Sequence, residues 1–151
     1  MGGNPVASNV ARTRGPVADS VAPADDSHIT DWVDKIITSN TDKNFVDRLA
    51  RPELYPVLPR PDLGEGNYST HLMSWSTVGP KQTPIVYPSV IFDPPTRSLK
   101  MLNQDEAFNH AMKTGEYLPF KSPKEADLFT REYKRHWRGG KGPVGYPPIN
   151  P

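Results

Sequence analysis

Leu102 to Trp137, LNQDEAFNHAMKTGEYLPFKSPKEADLFTREYKRHW, is the stretch that decides the fold. Asn103-Gln104-Asp105-Glu106 reads as an N-cap with an acid at the third helical position, where cap and acid bond each other's backbone N–H. Ala107, Phe108, Ala111 and Met112 then fall on one helical face. Gly115 ends that helix, because glycine accepts the left-handed backbone of a helix C-terminus. Glu116 to Phe120 reads as extended. Ser122-Pro123-Lys124-Glu125 is a second capping box with proline at the first helical position. Ala126, Phe129, Tyr133 and Trp137 follow at helical spacing.

Upstream lies a β centre. Tyr68 to Thr77 alternates and is rich in β-branched and aromatic residues. After a turn at Val78-Gly79-Pro80-Lys81, a second apolar run covers Thr83 to Phe92, so the two read as an antiparallel hairpin. Pro84 and Pro88 lack N–H groups, which predicts an edge strand or a bulge for the second run. Asp93 to Thr96 turns the chain again, and Ser98 to Leu102 can form a short third strand. Further upstream, Ile29, Val33, Ile36 and Ile37 recur at helical spacing with Trp32 on a flank, and Thr30 reads as their N-cap. Phe45, Val46 and Leu49 mark a second short helix, ended at Arg51-Pro52. Pro52 to Gly66 reads as a polyproline-like connector with Leu54, Tyr55, Val57 and Leu58 as packing points.

These elements predict an α+β fold over residues 29–137. It is a small antiparallel sheet, a hairpin or three strands, packed by two to four short helices. The helices near 104–114 and 123–137 are expected on one face, with Phe108, Met112, Phe129, Tyr133, Trp75, Tyr87, Val90 and Phe92 meeting in the core.

The two ends differ in kind. Hydrophobic residues are 35% of the chain and proline is 18 of 151, so part of the chain cannot be packed core. That part is residues 1–28, free of aromatic residues, and the Pro/Gly-rich tail 138–151. Burial of such stretches cannot offset an ordering cost of ~1–2 kcal/mol per residue. In isolation residues 1–28 read as disordered, either a dispensable tail or an arm that runs extended and orders against a partner, and the Pro/Gly-rich tail 138–151 is expected to run extended in the same way. Val6, Val10, Val17, Val21, Tyr146 and Ile149 are the expected contacts, and Arg12, Arg14 and Arg138 would add charge-assisted ones.

Composition narrows the function. A net charge of +1 gives no overall field to recruit nucleic acid or membrane. The chain has no cysteine, hence no disulfide, thiolate metal site or cysteine nucleophile. No stretch approaches a membrane span of ~20 apolar residues. His28, His71, His110 and His136 are scattered, without the i, i+4 spacing of a helical metal pair. Glu106 and Glu125 have capping roles, while Glu116 and Glu132 fall at polar positions. Glu65 alone resembles a lone general acid, but hydrolysis of a glycan needs a second positioned group. Ser69-Thr70-His71, Ser74 and Ser76 read as outward-facing strand positions opposite Tyr68, Leu72 and Met73. Gly139-Gly140-Lys141-Gly142 lacks the rest of a phosphate loop. Lys134, Arg135, Arg138 and Lys141 read as the solvated basic end of a helix. The residues thus point to no catalysis and no cofactor.

Asn44 to Trp137 also resembles a small module of virion structural proteins in tailed bacteriophages. The resemblance rests on NFVDRL at 44–49, YSTHLMSW at 68–75, IVYPSVIF at 85–92 and the 102–137 block, in that order. It covers about two-thirds of the chain and excludes the N-terminal arm; the proline-rich loop from Asp93 to Ser98 departs from it. The resemblance implies a packing unit located in the virion: a folded plug with arms bridging neighbouring subunits, in a head–tail connector, tail or capsid-associated position. Its partners would be other virion proteins in many symmetric copies. The competing classes are a virion-associated peptidoglycan hydrolase and a nucleic-acid-binding ejection protein.

Overall fold

The structure, a computed structural model, describes residues 28–66 and 68–137. The expected arm contacts Val6, Val10, Arg12, Arg14, Val17, Val21, Arg138, Tyr146 and Ile149 lie outside the described residues. In chain order the elements are α1 (Ile29–Thr38), α2 (Asn44–Ala50), β1 (Leu58–Pro59), β2 (Tyr68–Ser69), β3 (Met73–Val78), β4 (Thr83–Pro88), β5 (Val90–Asp93), β6 (Ser98–Met101), α3 (Gln104–Thr114), β7 (Leu118–Pro119) and α4 (Pro123–Glu132). Single 3-10 turns cover Pro52–Leu54, Pro61–Leu63 and Tyr133–Trp137. The fold is α+β, as the sequence predicts.

The local signals of the 102–137 block form as read except one: at Ser122 the N-cap bond forms without the reciprocal bond of the predicted capping box. Asn103 Oδ1 accepts from Glu106 N–H (2.8 Å) while Glu106 Oε1 accepts from Asn103 N–H (3.0 Å). Gly115 sits at φ 79°, in the left-handed region. Ser122 Oγ accepts from Glu125 N–H at 3.2 Å, with Pro123 opening α4. At the other end, α1 begins at Ile29, so Thr30 is inside the helix rather than its cap, and its hydroxyl accepts from Arg135 Nη1. In the connector, Leu54 and Val57, expected as packing points, are exposed. Tyr55 does pack, edge-on to Phe92 at 5.2 Å.

β3 and β4 form the expected hairpin, with Trp75 opposite Val86 and Ser76 opposite Ile85. β4 is not an edge strand, however. It lies between β3 and β7. Ser89 N–H donates to Leu72 O (2.7 Å), which fixes the phase of the ladder. Ser74 and Ser76 therefore turn their backbone groups to β4, and Pro84, Val86 and Pro88 turn theirs to β7. On that side the partner strand has two residues, and Pro84 contributes its carbonyl, accepting from Phe120 N–H (2.8 Å). The prolines thus lack N–H groups only where no ladder bond needs one.

Both expected long strands are broken. Tyr68 to Thr77 splits into β2, which pairs with β1, and β3, with His71 turned inward between them and Leu72 left exposed. Thr83 to Phe92 splits at Ser89, whose carbonyl accepts from Leu102 N–H (2.8 Å) and so passes the chain into the β5–β6 hairpin. Ser98–Met101 is therefore a strand, but of this second hairpin, and β7 is the third strand of the main sheet.

The two helices lie on opposite faces of that sheet, not on one. Ile85, Val86 and Tyr87 are consecutive and all buried, so β4 is apolar on both sides. Val86 and Leu118, with Trp75 and Met73 beside them, join Trp32, Ile36, Phe45, Leu49, Phe129 and Trp137 in the larger core. Ile85 and Tyr87 join Val78, Ala107, Ala111, Met112 and Tyr117, with Phe108 on the rim. The expected single core is thus split: Trp75, Phe129 and Tyr133 belong to the first cluster, Tyr87, Phe108 and Met112 to the second. Val90 is buried outside both, and Phe92 is half-buried under Arg97. Among the described residues, no helix is long and apolar enough to cross a membrane.

Candidate functional site

The described residues concentrate their buried charge on α2. Phe45, Val46 and Leu49 point into the larger core, as their spacing requires. Arg48 shares the helix and is only 2% exposed. A buried guanidinium must have its N–H groups satisfied. Arg48 Nε donates to Asn44 Oδ1 (3.0 Å), Nη1 to Thr70 O (2.8 Å) and Nη2 to Val90 O (2.7 Å). One side chain thereby ties α2 to the inward loop before β3 and to the start of β5. Burial lowers its pKa to about 10, opposed by the nearby Glu116 carboxylate, so it stays charged at neutral pH.

α2 opens after Lys43, whose side chain does not cap it. The cap comes from 72 residues away. Glu116 Oε2 accepts from Asn44 N–H and Oε1 from Phe45 N–H, both at 3.1 Å. Lys43 Nζ in turn donates to Gly115 O (2.8 Å). The residue that stops α3 and its neighbour therefore clasp the start of α2. A carboxylate at a helix N-terminus is favoured by the helix dipole as well as by the bonds.

Between these elements lies a cleft of ≈ 260 Å³, with Arg48, His110 and Glu116 as its ionisable walls and Ile91, Phe92 and Pro94 as apolar ones. Burial depresses the pKa of His110, with Glu116 pulling the other way. A carboxylate beside an imidazole is the composition of an acid–base pair. Here both carboxylate oxygens already hold backbone N–H groups, and all three guanidinium nitrogens donate to protein oxygens. The cleft is also smaller than the ~300–1,000 Å³ typical of ligand pockets.

His71 is 2% exposed, which overturns its reading as an outward-facing strand residue. Its Nε2 faces Phe45 O at 2.9 Å, an oxygen that can only accept, so Nε2 carries the proton. Nδ1 lies 3.1 Å from Thr70 Oγ1 and accepts from that hydroxyl. Burial pushes the His71 pKa well below its ordinary value, and the Arg48 charge pushes the same way. Tyr133 Oη donates to His71 O (3.2 Å), and Trp137 Nε1 donates to Leu49 O (3.0 Å). Ser74 and Ser76 are also misread as outward-facing: both lie half-buried on the α3 side of β3.

The remaining sequence candidates fall apart in space. Glu106 is a cap, Glu132 pairs with Arg135, Asp34 Oδ1 lies 2.8 Å from His136 Nδ1, and Glu65 stands exposed in its turn. Lys134 is partly desolvated, which lowers its pKa, and packs over Tyr133. The basic run is therefore no open patch as far as it is described; Arg138 and Lys141 lie beyond. Among the described residues no group of three or more His, Asp or Glu is placed to hold a metal ion. Sequence reasoning passed over Arg48 and missed the capping role of Glu116. The signal present was a short helix with a lysine at its N-cap position, which requires an acceptor from elsewhere.

Comparison with protein-family models, curated proteins and solved structures finds no match to this chain.

Proposed function

We propose that the chain is a non-enzymatic structural component of a tailed-phage virion, a folded plug that acts by binding neighbouring subunits. One observation carries the non-enzymatic half. Arg48, Glu116 and His71, the side chains best suited to chemistry, bond backbone groups that the fold would otherwise leave unsatisfied. Catalysis would need at least one of them free to face a substrate. The virion half rests on the resemblance over residues 44–137. Segments 1–28 and 138–151, poor in core-forming residues, suit a component that reaches across several neighbours in a symmetric assembly.

The test is quantitative mass spectrometry of purified particles from the phage encoding the chain, with a peptidoglycan-clearing assay on the purified protein. The reading expects a fixed, multiple copy number and no clearing. Absence from particles would sink the virion half. Clearing abolished by one change at Glu65, Glu116 or His71 would establish the hydrolase instead.

A further inference from the structure

The main sheet has two unlike edges. β7 is two residues long and contains Pro119. β3 is six residues long, Met73-Ser-Trp-Ser-Thr-Val78, with no charge, proline or glycine. Ser74, Ser76 and Val78 bond towards β4, so Met73, Trp75 and Thr77 direct their N–H and C=O groups outward, where no described strand pairs with them. Folded proteins normally protect such an edge with lysine, proline, a bulge or a covering element. β3 has none of the sequence devices.

A groove borders this edge on the α3 side. It measures ≈ 410 Å³ and is lined by Ser76, Tyr87, Gln104, Asp105, Phe108 and Asn109. α3 packs mainly on β4, with Val78 at the end of β3 buried in the same cluster, and the groove lies beside it. Ser76 Oγ is buried there without a hydrogen-bond partner among the described residues. The edge, the groove and the unpartnered hydroxyl together have the form of a site for an added strand, with main-chain bonds for affinity and a side-chain row for selection.

We propose that this edge receives residues 6–14 of another copy of the chain as an added β-strand, an inference that rests on the assembly reading above. That segment reads VASNVARTR, bounded by Pro5 and Pro16 and free of proline within. At strand period, Val6, Ser8, Val10, Arg12 and Arg14 share one row and Ala7, Asn9, Ala11 and Thr13 the other. The first row offers apolar, hydroxyl and basic groups to a groove holding Phe108, Ser76 and Asp105, and the first turn of α3 adds the exposed Glu106. The second row is small or short, as the bulk of Trp75 on the other face requires.

The experiment uses the full chain, sedimentation and amide hydrogen exchange across a concentration series. Association should rise with concentration, and the Trp75 and Thr77 amides should become protected in step with it. Thr77→Pro removes an outward N–H together with the Thr77 Oγ1–Gln82 hydrogen bond of the turn, and R12E/R14E reverses the basic charges of the incoming segment; each should weaken association roughly tenfold or more. If Thr77→Pro does not fold, R12E/R14E decides alone. A chain that stays monomeric with these amides exchanging freely overturns the proposal. So does protection that is independent of concentration, which would mean pairing within one molecule. Edge pairing by a chain absent from particles would refute the virion reading and leave this one standing.

Discussion

The two faces of the β3–β4–β7 sheet are covered to different depths. On one, α1, α2, α4 and the last 3-10 turn close over fourteen buried residues, among them Trp32, Phe45, Phe120, Phe129 and Trp137. On the other, among the described residues, α3 is the one helix in a cluster of seven. Among the described residues, Phe129 meets three rings, with centroids 6.3, 5.6 and 6.2 Å from those of Trp32, Phe120 and Tyr133, whereas Tyr87 meets one, Phe108, edge-on at 5.8 Å. Stability therefore resides mainly on the first face. The second is the face with room beside it.

The largest expected effect follows directly. Phe129→Ala leaves a fully buried cavity between Trp32, Phe120 and Tyr133, and should cost ~3–5 kcal/mol, a large fraction of the stability of a domain this size. Met112→Ala on the α3 face, where the side chain is still 7% exposed, should fall near the low end of ~2–5 kcal/mol. Denaturant melts of the two variants measure the ratio. Equal losses would mean that the faces are energetically equivalent and that the asymmetry is only geometric.

What the sequence made legible was local. Asn103, Gly115, Ser122 and the Gly79 turn act within a few residues; three form as read, and Ser122 forms the N-cap half of its predicted capping box. The apolar faces of α1 and α2 were equally plain from spacing. What stayed hidden was every feature set by residues distant in sequence. The Glu116 cap spans 72 positions, and no window of a single helix contains it. The inward dip at His71 depends on Phe45 and Tyr133. Pro84 and Pro88 argued for an edge because strand rules presume a full-length partner; β7 is too short to require their N–H groups. The split core followed from Ile85, Val86 and Tyr87, a run apolar on both sides that a one-faced reading could not place.

A pH titration sharpens the comparison, because His71 belongs to the well-covered face. Its folded pKa is depressed, so the unfolded chain binds the extra proton first. Its contribution is fully present above the unfolded value of ~6.5 and is lost as pH falls below it. Burial of His71 should make stability drop with a slope approaching ~1.4 kcal/mol per pH unit below pH ~6.5. His110, on α3 and only partly buried, shifts the same way and should add a smaller slope. Urea midpoints from pH 7.5 to 5 read this. A flat profile would contradict the neutral, buried assignment of His71. The smallest effect belongs to the thin face: Asn103→Ala removes half of the α3 capping box and should cost ~1 kcal/mol, with exchange faster in the first turn of α3 and unchanged in α4.

The central claim is that the α2 seam is structure rather than chemistry, and the stability of Arg48→Met and Glu116→Ala tests it most directly. Groups kept for function at some cost to the fold can be replaced with stability unchanged or raised. Here Arg48→Met strands the carbonyls of Thr70 and Val90, and Glu116→Ala leaves the Asn44 and Phe45 N–H groups without their acceptor. The account predicts losses of ~2–5 kcal/mol for Arg48→Met, from two stranded carbonyls, and ~1–2 kcal/mol for Glu116→Ala in denaturant titration. Variants as stable as the parent, or more so, would contradict it and return the cleft to the class of working sites.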